Sequence, residues 1–133
     1  MISYIFTEQE LKYLCGIMKT DVLPLHMING SEISASECLN AKRSLEEKGF
    51  IEIKNELCVI NSVIAFLFRV MASAERIFVG NGNTKFTAFI GKCSVLLSES
   101  FGQFVLSPFE NEVLLVSYLR ENGLTEWSDI RLE

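Results

Sequence analysis

The chain has 133 residues, of which 49% are hydrophobic and 22% charged, and its formal net charge is −5. This length suits one domain with one core, and the acidic balance argues against a protein that binds nucleic acid mainly through phosphates. The N-terminus has no basic and apolar leader, and no apolar run approaches the ~20 residues of a membrane span, so we expect a cytoplasmic protein without membrane insertion.

Two capping signals predict the first two helices. Thr7 and Glu10 have the spacing of a capping box, and the apolar residues after them recur at helical spacing. Ser34 begins a second box, and Gly49 is a suitable end for the helix that follows it. In this second helix, the residues that we expect to face the core are Cys38, Leu39, Ala41 and Leu45. Between the two helices, Pro24 restricts the chain to a loop or a short turn of helix.

A β-hairpin and a third helix are predicted next. Residues 50–54 and 57–60 are rich in strand-forming side chains and are joined by a polar turn. Asn61 is a suitable N-cap for a helix over residues 62–74 that is apolar on nearly every side. Such a helix is expected to be buried on several sides, so we interpret it as the central helix of the fold.

The hydrophobic period then changes to two, which predicts an antiparallel β-meander. Its four strands are expected at residues 76–80, 84–90, 92–98 and 103–107, with Pro108 ending the last. A helix over 110–122 should follow, and its apolar positions are Val113, Leu114, Val116 and Leu119. The sequence therefore predicts a single α+β domain over residues 1–133. It consists of a winged-helix-like part (1–60), then a helix, an antiparallel sheet and a C-terminal helix (61–123), and a polar tail (124–133).

The meander carries apolar side chains on both faces. Phe86 and Phe89 point to opposite faces of one strand, as do Phe104 and Val105 of another. Such a sheet needs cover on both faces, and the final helix supplies only one. Either the central helix or a second copy or protein partner covers the other. These four residues are therefore the candidate partner-binding residues.

Residues with catalytic or metal-binding chemistry are sparse. His26 is the single histidine, and the cysteines have wide spacings typical of buried, reduced thiols. The four cysteines are Cys15, Cys38, Cys58 and Cys93. The run Gly80-Asn81-Gly82-Asn83 lacks the Lys-Ser/Thr of a phosphate loop and precedes a strand, so it predicts a hairpin turn. We therefore expect no catalytic residue, no metal and no cofactor.

One function that fits this order of elements is a winged-helix regulator that binds DNA. The second helix ends in the run LEEKGFI and a hairpin follows, which resembles the end of the recognition helix in bacterial winged-helix regulators. However, this helix has equal numbers of acidic and basic side chains, whereas a helix that enters the major groove should have a basic excess.

The other function is a protein-binding adaptor. The chain has, in order, FTEQELKYL, Leu-Pro, a helix ending in SLEEKGFI, a hairpin, the helix SVIAFLFRVMASA, a meander and NEVLLVSYL. Over roughly residues 6–119, this order resembles one half of the EspG family, the cytosolic chaperones of type VII secretion systems. The matching positions at the helix end are Ala41, Leu45, Lys48 and Gly49.

The resemblance implies that the protein binds a helical-hairpin secretion substrate. The EspG family has two pseudo-symmetric halves where this chain has one, so the resemblance also implies a homodimer. The function we expect is a non-enzymatic, chaperone-like adaptor of a type VII secretion locus. The DNA-binding regulator is the alternative.

Overall fold

The computed structural model describes residues 2–24, 26–28, 30–81 and 85–132. Within these ranges the helices are α1 (Glu8–Met18), α2 (Ala35–Glu47), α3 (Ser62–Ala72) and α4 (Glu112–Glu121). The strands are β1 (Tyr4–Phe6), β2 (Ile51–Lys54), β3 (Leu57–Ile60), β4 (Arg76–Gly80), β5 (Phe86–Ile90), β6 (Ser94–Ser100), β7 (Gln103–Phe109) and β8 (Trp127–Arg131). The described strands form a six-stranded antiparallel sheet in the order β1-β7-β6-β5-β4-β8 and a separate hairpin of β2 and β3. The predicted α+β class is confirmed.

Both predicted capping boxes form. The Thr7 hydroxyl accepts from the Glu10 N–H at 3.1 Å, and the Glu10 carboxylate accepts from the Thr7 N–H at 2.7 Å. Ser34 begins α2 in the same reciprocal way. The predicted core face of α2 is wrong at Leu39, which is 62% exposed, while Ala41 and Leu45 are buried. Because a helix turns by about 100° per residue, Leu39 lies almost opposite Ala41.

The sheet is covered on both faces by helices of the same chain. One face packs against α1 and α3, and its buried sheet residues are Phe89, Val95, Leu97, Phe104 and Leu106. The same cluster includes buried residues of α2 and β2, so the N-terminal part and the sheet share this core. The other face packs against Leu115 and Leu119 of α4, and its buried sheet residues are Phe78, Phe86, Ala88, Ile90 and Leu96.

Helices α3 and α4 each bury one stripe. In α3 that stripe is Ile64, Leu67, Phe68 and Met71, whereas Val63 and Phe66 are exposed. The prediction that this helix is buried on several sides is therefore wrong. In α4 the buried residues are Leu115 and Leu119, whereas the apolar positions Val113 and Leu114 are exposed. The helix begins after the N-cap Asn111, and the half-buried Val116 and Tyr118 pack beside its buried residues.

The two edges of the sheet are strands that the sequence did not predict. Strand β1 pairs with β7, and β8 pairs with β4 inside the segment that was expected to be a polar tail. A strand of the sheet therefore follows α4 along the chain. Strand β7 also continues through Pro108, which pairs with Val95. Strand β1 pairs with β7 only as far as Leu106, so no strand lies beside Pro108 on that side. The lack of an N–H at Pro108 therefore costs no hydrogen bond there.

Two predicted turns have different outcomes. The β2–β3 turn forms at Asn55 and Glu56, both of which have positive φ, as a two-residue hairpin turn requires. The predicted turn after β4 includes Gly82 and Asn83, which lie outside the described residues. The strands on either side of it pair antiparallel.

Candidate functional site

The structure places the predicted partner-binding residues mainly in the core. Phe86, Phe89 and Phe104 are buried, with Phe89 only 5% exposed, and Val105 is half-buried between its strand partners Ile5 and Ser98. Helix α3 lies over the face that carries Phe89 and Phe104, and α4 lies over the face that carries Phe86. The prediction that this group forms a partner surface is therefore corrected, because the chain's own helices already occupy both faces.

An open groove of about 460 Å³ lies elsewhere, between α1, the loop at residues 21–33 and the start of α2. Its apolar lining consists of Tyr13, Cys15, Ile17, Leu23, Ile28 and Ile33. Sites that bind small molecules or side chains typically have volumes of about 300–1,000 Å³ and apolar walls. We call this site the α1 groove.

One wall of the α1 groove is the outer side of α1. Leu11, Leu14 and Cys15 are buried, and the groove lining on this helix includes Tyr13 and Ile17. Gly16 lies between them, and apart from its chain neighbours and the backbone of α1, no atom comes within 4 Å of the position that a Cβ would occupy there. The groove is therefore open at Gly16, and a side chain added at this position would project into unfilled space.

The opposite wall is a loop that is fastened to the sheet. The Pro24 carbonyl accepts from the N–H groups of Met27 and Ile28, both at 3.1 Å, which closes a turn. Met27 and Ile28 are buried, and the Thr87 hydroxyl of β5 donates to the Met27 sulfur at 3.2 Å. The same hydroxyl lies 3.2 Å from His26 Nε2. These contacts hold the loop against the sheet and leave the groove between the loop and α1.

The interior of the groove favours neutral groups. Burial raises the pKa of Cys15 to about 11, so this thiol is protonated at neutral pH and is a poor nucleophile. Burial, and then the charges of Cys58, Cys38 and Glu46, raise the pKa of Tyr13. Charged side chains line the groove at Lys12, Asp21 and Glu32.

Exposed apolar side chains lie on α2 and on the hairpin, in the same N-terminal part of the chain. Leu39 of α2 and Leu57 of β3 are 62% and 68% exposed, and Val59 is also exposed. Leu57 and Val59 share the outward face of the hairpin, where their strand partners are Lys54 and Glu52. We call Leu39, Leu57 and Val59 the exposed apolar set. Together with the α1 groove they form the candidate functional site.

The histidine and cysteines do not form a cluster with obvious chemistry. His26 is exposed, and its ring lies within hydrogen-bond distance of the Thr87 hydroxyl. Cys15 is buried, Cys38 and Cys93 are half-buried and Cys58 is exposed, so the interpretation of four buried thiols is wrong for Cys58. In the part of the chain that the structure describes, no group of three or more His, Cys, Asp or Glu side chains is placed to hold a metal ion.

The charge on α2 bears on DNA binding. Lys48 Nζ lies 2.7 Å from the buried Glu10 carboxylate and donates to the Ile5 carbonyl at 3.1 Å, so its charge is already paired within the protein's own surface. The remaining bases of α2, Lys42 and Arg43, are accompanied by exposed acids at its C-terminal end. The surface of α2 therefore lacks the basic excess that a recognition helix needs.

The α1 groove was not predicted from the sequence. A signal for it in the sequence was a set of apolar residues outside the predicted buried stripe of the first helix: Ile17, Leu23, Ile28 and Ile33. The helical pattern identified the buried stripe of α1 but gave no information about the loop that packs beside it.

Comparisons with known proteins find neither a protein-family model nor a curated protein that matches this chain. Among the described residues, no helix combines the length and the apolar character that crossing a membrane requires.

Proposed function

We propose that this chain is a non-enzymatic adaptor that binds a protein partner through the α1 groove and the exposed apolar set. The observation that carries the proposal is the open, apolar groove of about 460 Å³, in the same N-terminal part of the chain as exposed leucines on α2 and β3. Exposed apolar surface grouped next to a concavity is typical of protein interaction sites.

The partner should present an apolar stripe. The groove has an apolar lining with charges of both signs, so an apolar side chain fits its interior better than a charged one. An amphipathic helix offers apolar side chains at intervals of three and four residues, which is the common way to fill such a groove. Leu39 and Leu57 would then contact neighbouring positions of the same helix.

The resemblance to half of the EspG family gives this partner a more specific form. We propose a helical-hairpin secretion substrate of a type VII secretion locus, bound in the cytoplasm, with two copies of this chain acting as a pair. An acidic chain whose α2 has no basic excess supports a protein partner over nucleic acid.

The alternative remains a winged-helix regulator that binds DNA. One observation favours it: α1, α2 and the β2–β3 hairpin follow one another in the order of that motif. The engagement of Lys48 by Glu10 weighs against it. Titration of a mixed-sequence duplex at low salt tests this alternative, because phosphate-dominated binding should be tight at low salt and fall steeply as salt is raised.

The decisive experiment uses Gly16, where a side chain can be added without meeting any atom within 4 Å. The chain is co-expressed with a helical-hairpin protein of the proposed class, and the affinity of the purified complex is measured by calorimetry. Gly16→Phe should fill the groove and weaken binding at least tenfold, which corresponds to about 1.4 kcal/mol. Gly16→Ala, the matched control, should bind as the wild type does. Equal affinity of the two variants, or no binding by the wild type, would contradict the proposal.

A further inference from the structure

Strand β8 forms an open edge of the six-stranded sheet. Among the described residues it pairs with β4 and with no other strand. Residues 128–132 are exposed, and Ile130 is 44% exposed although it is a strand residue with a large apolar side chain. An exposed edge of this length, without proline or a bulge, can accept another strand.

The direction of each backbone group on β8 follows from two hydrogen bonds. The Leu132 N–H donates to the Glu75 carbonyl at 2.8 Å, and the Glu126 carbonyl accepts from the Asn81 N–H at 3.1 Å. Backbone groups of even-numbered residues therefore point toward β4. By the alternation of a strand, the N–H and C=O groups of Trp127, Asp129 and Arg131 point outward.

The opposite edge of the sheet is less accessible. Strand β1 has three residues, and the carbonyl of its central residue, Ile5, accepts a hydrogen bond from Lys48 Nζ at 3.1 Å. A β1 edge capped in this way is a poor acceptor for a β8 strand from another copy. An association that joins β8 to β8 also closes around a two-fold axis, whereas β8 joined to β1 would propagate into a filament.

The charges on β8 are complementary to those of an inverted copy of the same strand. Asp129 and Arg131 lie on one face of the strand. Arg131 stands opposite Arg76 of β4, a pair of like charges, and no acid of the described residues forms a salt bridge with it. Arg76 pairs with Asp129 at 2.9 Å and with Glu112 at 2.9 Å, so the two bases and two acids balance, and Arg131 is the one without a direct ion-pair partner.

We propose that two copies of this chain pair through their β8 strands, antiparallel, with Ile130 opposite Ile130 of the second copy. This register places Asp129 of each copy opposite Arg131 of the other, and it allows four backbone hydrogen bonds between these outward-facing residues. The two Ile130 side chains then form a non-hydrogen-bonded pair, in which side chains are closest. The inference rests on the proposed pairing of two copies and names the surface that forms the pair.

Disulfide trapping tests the register. The Cα atoms of a non-hydrogen-bonded pair are about 4.5 Å apart, which is within the range for a disulfide. The matched control is Ser128→Cys on the same face, because the two Ser128 positions would be offset by about 13 Å along the strands. Both substitutions are made with Cys58→Ser, since Cys58 is exposed. Under mild oxidation, Ile130→Cys should form a covalent dimer of twice 15.0 kDa at least tenfold faster than Ser128→Cys. Equal rates would overturn the register.

A backbone substitution tests the edge itself. Arg131→Pro removes an outward N–H but no N–H directed at β4, whereas Arg131→Ala removes the same side chain and keeps that N–H. In the Ile130→Cys background, Arg131→Pro should lower the rate of cross-linking at least tenfold below that of Arg131→Ala, with unchanged circular dichroism. Equal cross-linking by the two variants would overturn the role of the β8 edge.

Light scattering of the wild type separates this inference from the proposed function. A dimer that does not cross-link at Ile130 would contradict the claim that β8 forms the interface. It would still agree with the proposal that two copies of the chain pair. A monomer at hundreds of micromolar would contradict both. Neither result affects the Gly16 test of partner binding, which concerns a different surface.

Discussion

The sheet and the N-terminal part differ in how far their apolar side chains are buried. The sheet has helices over both faces, and aromatic residues such as Phe86 and Phe89 are completely or almost completely buried. The N-terminal part consists of α1, α2 and the β2–β3 hairpin, and it has both an open groove and the exposed residues Leu39 and Leu57. The apolar excess of this chain therefore does not mark the faces of the sheet as a binding surface. Exposed apolar side chains also lie on the outer sides of α3 and α4, but the N-terminal part combines them with the α1 groove.

The difference follows from how many sides of each element are covered. A central strand has a helix over each face, so the side chains on both of its faces are buried. Helix α2 packs mainly through Ala41 and Leu45, and the hairpin mainly through Ile51, so each has a second side without cover. Apolar residues on those second sides contribute little to folding and remain available for binding.

The largest expected effect comes from truncating one residue in the core of the sheet and one on the surface of the N-terminal part. Phe89→Ala should lower the free energy of unfolding by about 3–5 kcal/mol, because it removes a buried ring and leaves a cavity. Leu57→Ala, at an exposed position, should change it by less than about 0.5 kcal/mol. Urea unfolding followed by circular dichroism measures both. Similar costs for the two substitutions would contradict the assignment of Phe89 to the core and Leu57 to the surface.

A polar anchor in the N-terminal part gives the next largest effect. Glu10 is buried and accepts from Lys48 at 2.7 Å, from the Thr7 N–H at 2.7 Å and from Ser44 at 2.8 Å. Glu10→Gln keeps the shape but removes the charge, and it should lower the free energy of unfolding by about 1–3 kcal/mol at neutral pH. The matched control is Glu52→Gln, because Glu52 and Lys54 form an exposed pair that should contribute almost nothing.

The same anchor predicts a pH dependence. Burial alone would raise the pKa of Glu10, but the hydrogen bonds from Lys48, Thr7 and Ser44 outweigh burial and lower the pKa below 4.5. A carboxyl whose pKa is lower in the folded state contributes stability above its unfolded pKa and loses it as the pH falls through the folded pKa. The stability difference between wild type and Glu10→Gln should therefore shrink below about pH 4.5. A difference that grows on acidification would contradict this ionised anchor.

The smallest expected effect is a gain. Gly16→Ala should raise the free energy of unfolding by about 0.5–1 kcal/mol, because alanine restricts the unfolded chain and no atom lies within 4 Å of the new Cβ. Thermal unfolding of the variant and the wild type measures this gain. A loss of stability at this position would indicate that the groove is already filled, and it would contradict the open site described here.

Local signals in the sequence predicted much of the fold. The capping boxes at Thr7 and Ser34 and the alternation in β5 and β6 depend on neighbouring residues, so they were legible in the chain itself. Strands β1 and β8 were missed because an edge strand becomes a strand through the partner beside it, and β1 has only three residues. Phe89 was interpreted as a surface residue because no local pattern shows that a distant helix covers it.

The candidate site was less predictable than the fold. The α1 groove depends on a loop that a distant residue, Thr87, holds against the sheet, and a pattern along the chain does not report such a contact. The four predicted partner residues were chosen in the meander because the sequence shows that they are apolar. It does not show that helices of the same chain cover them. Burial in the folded chain, rather than apolar character, separates a binding residue from a core residue.

The most direct test of a binding surface on the N-terminal part is methyl NMR of this chain titrated with a helical-hairpin protein of the proposed class. The methyl signals of Ile17, Ile33 and Leu39 should shift on binding. Those of Leu97 and Leu115, which lie inside the sheet core, should stay in place. Gly16→Phe should abolish the shifts, and Gly16→Ala should preserve them. Shifts confined to the sheet residues, with the groove methyls unmoved, would contradict the account.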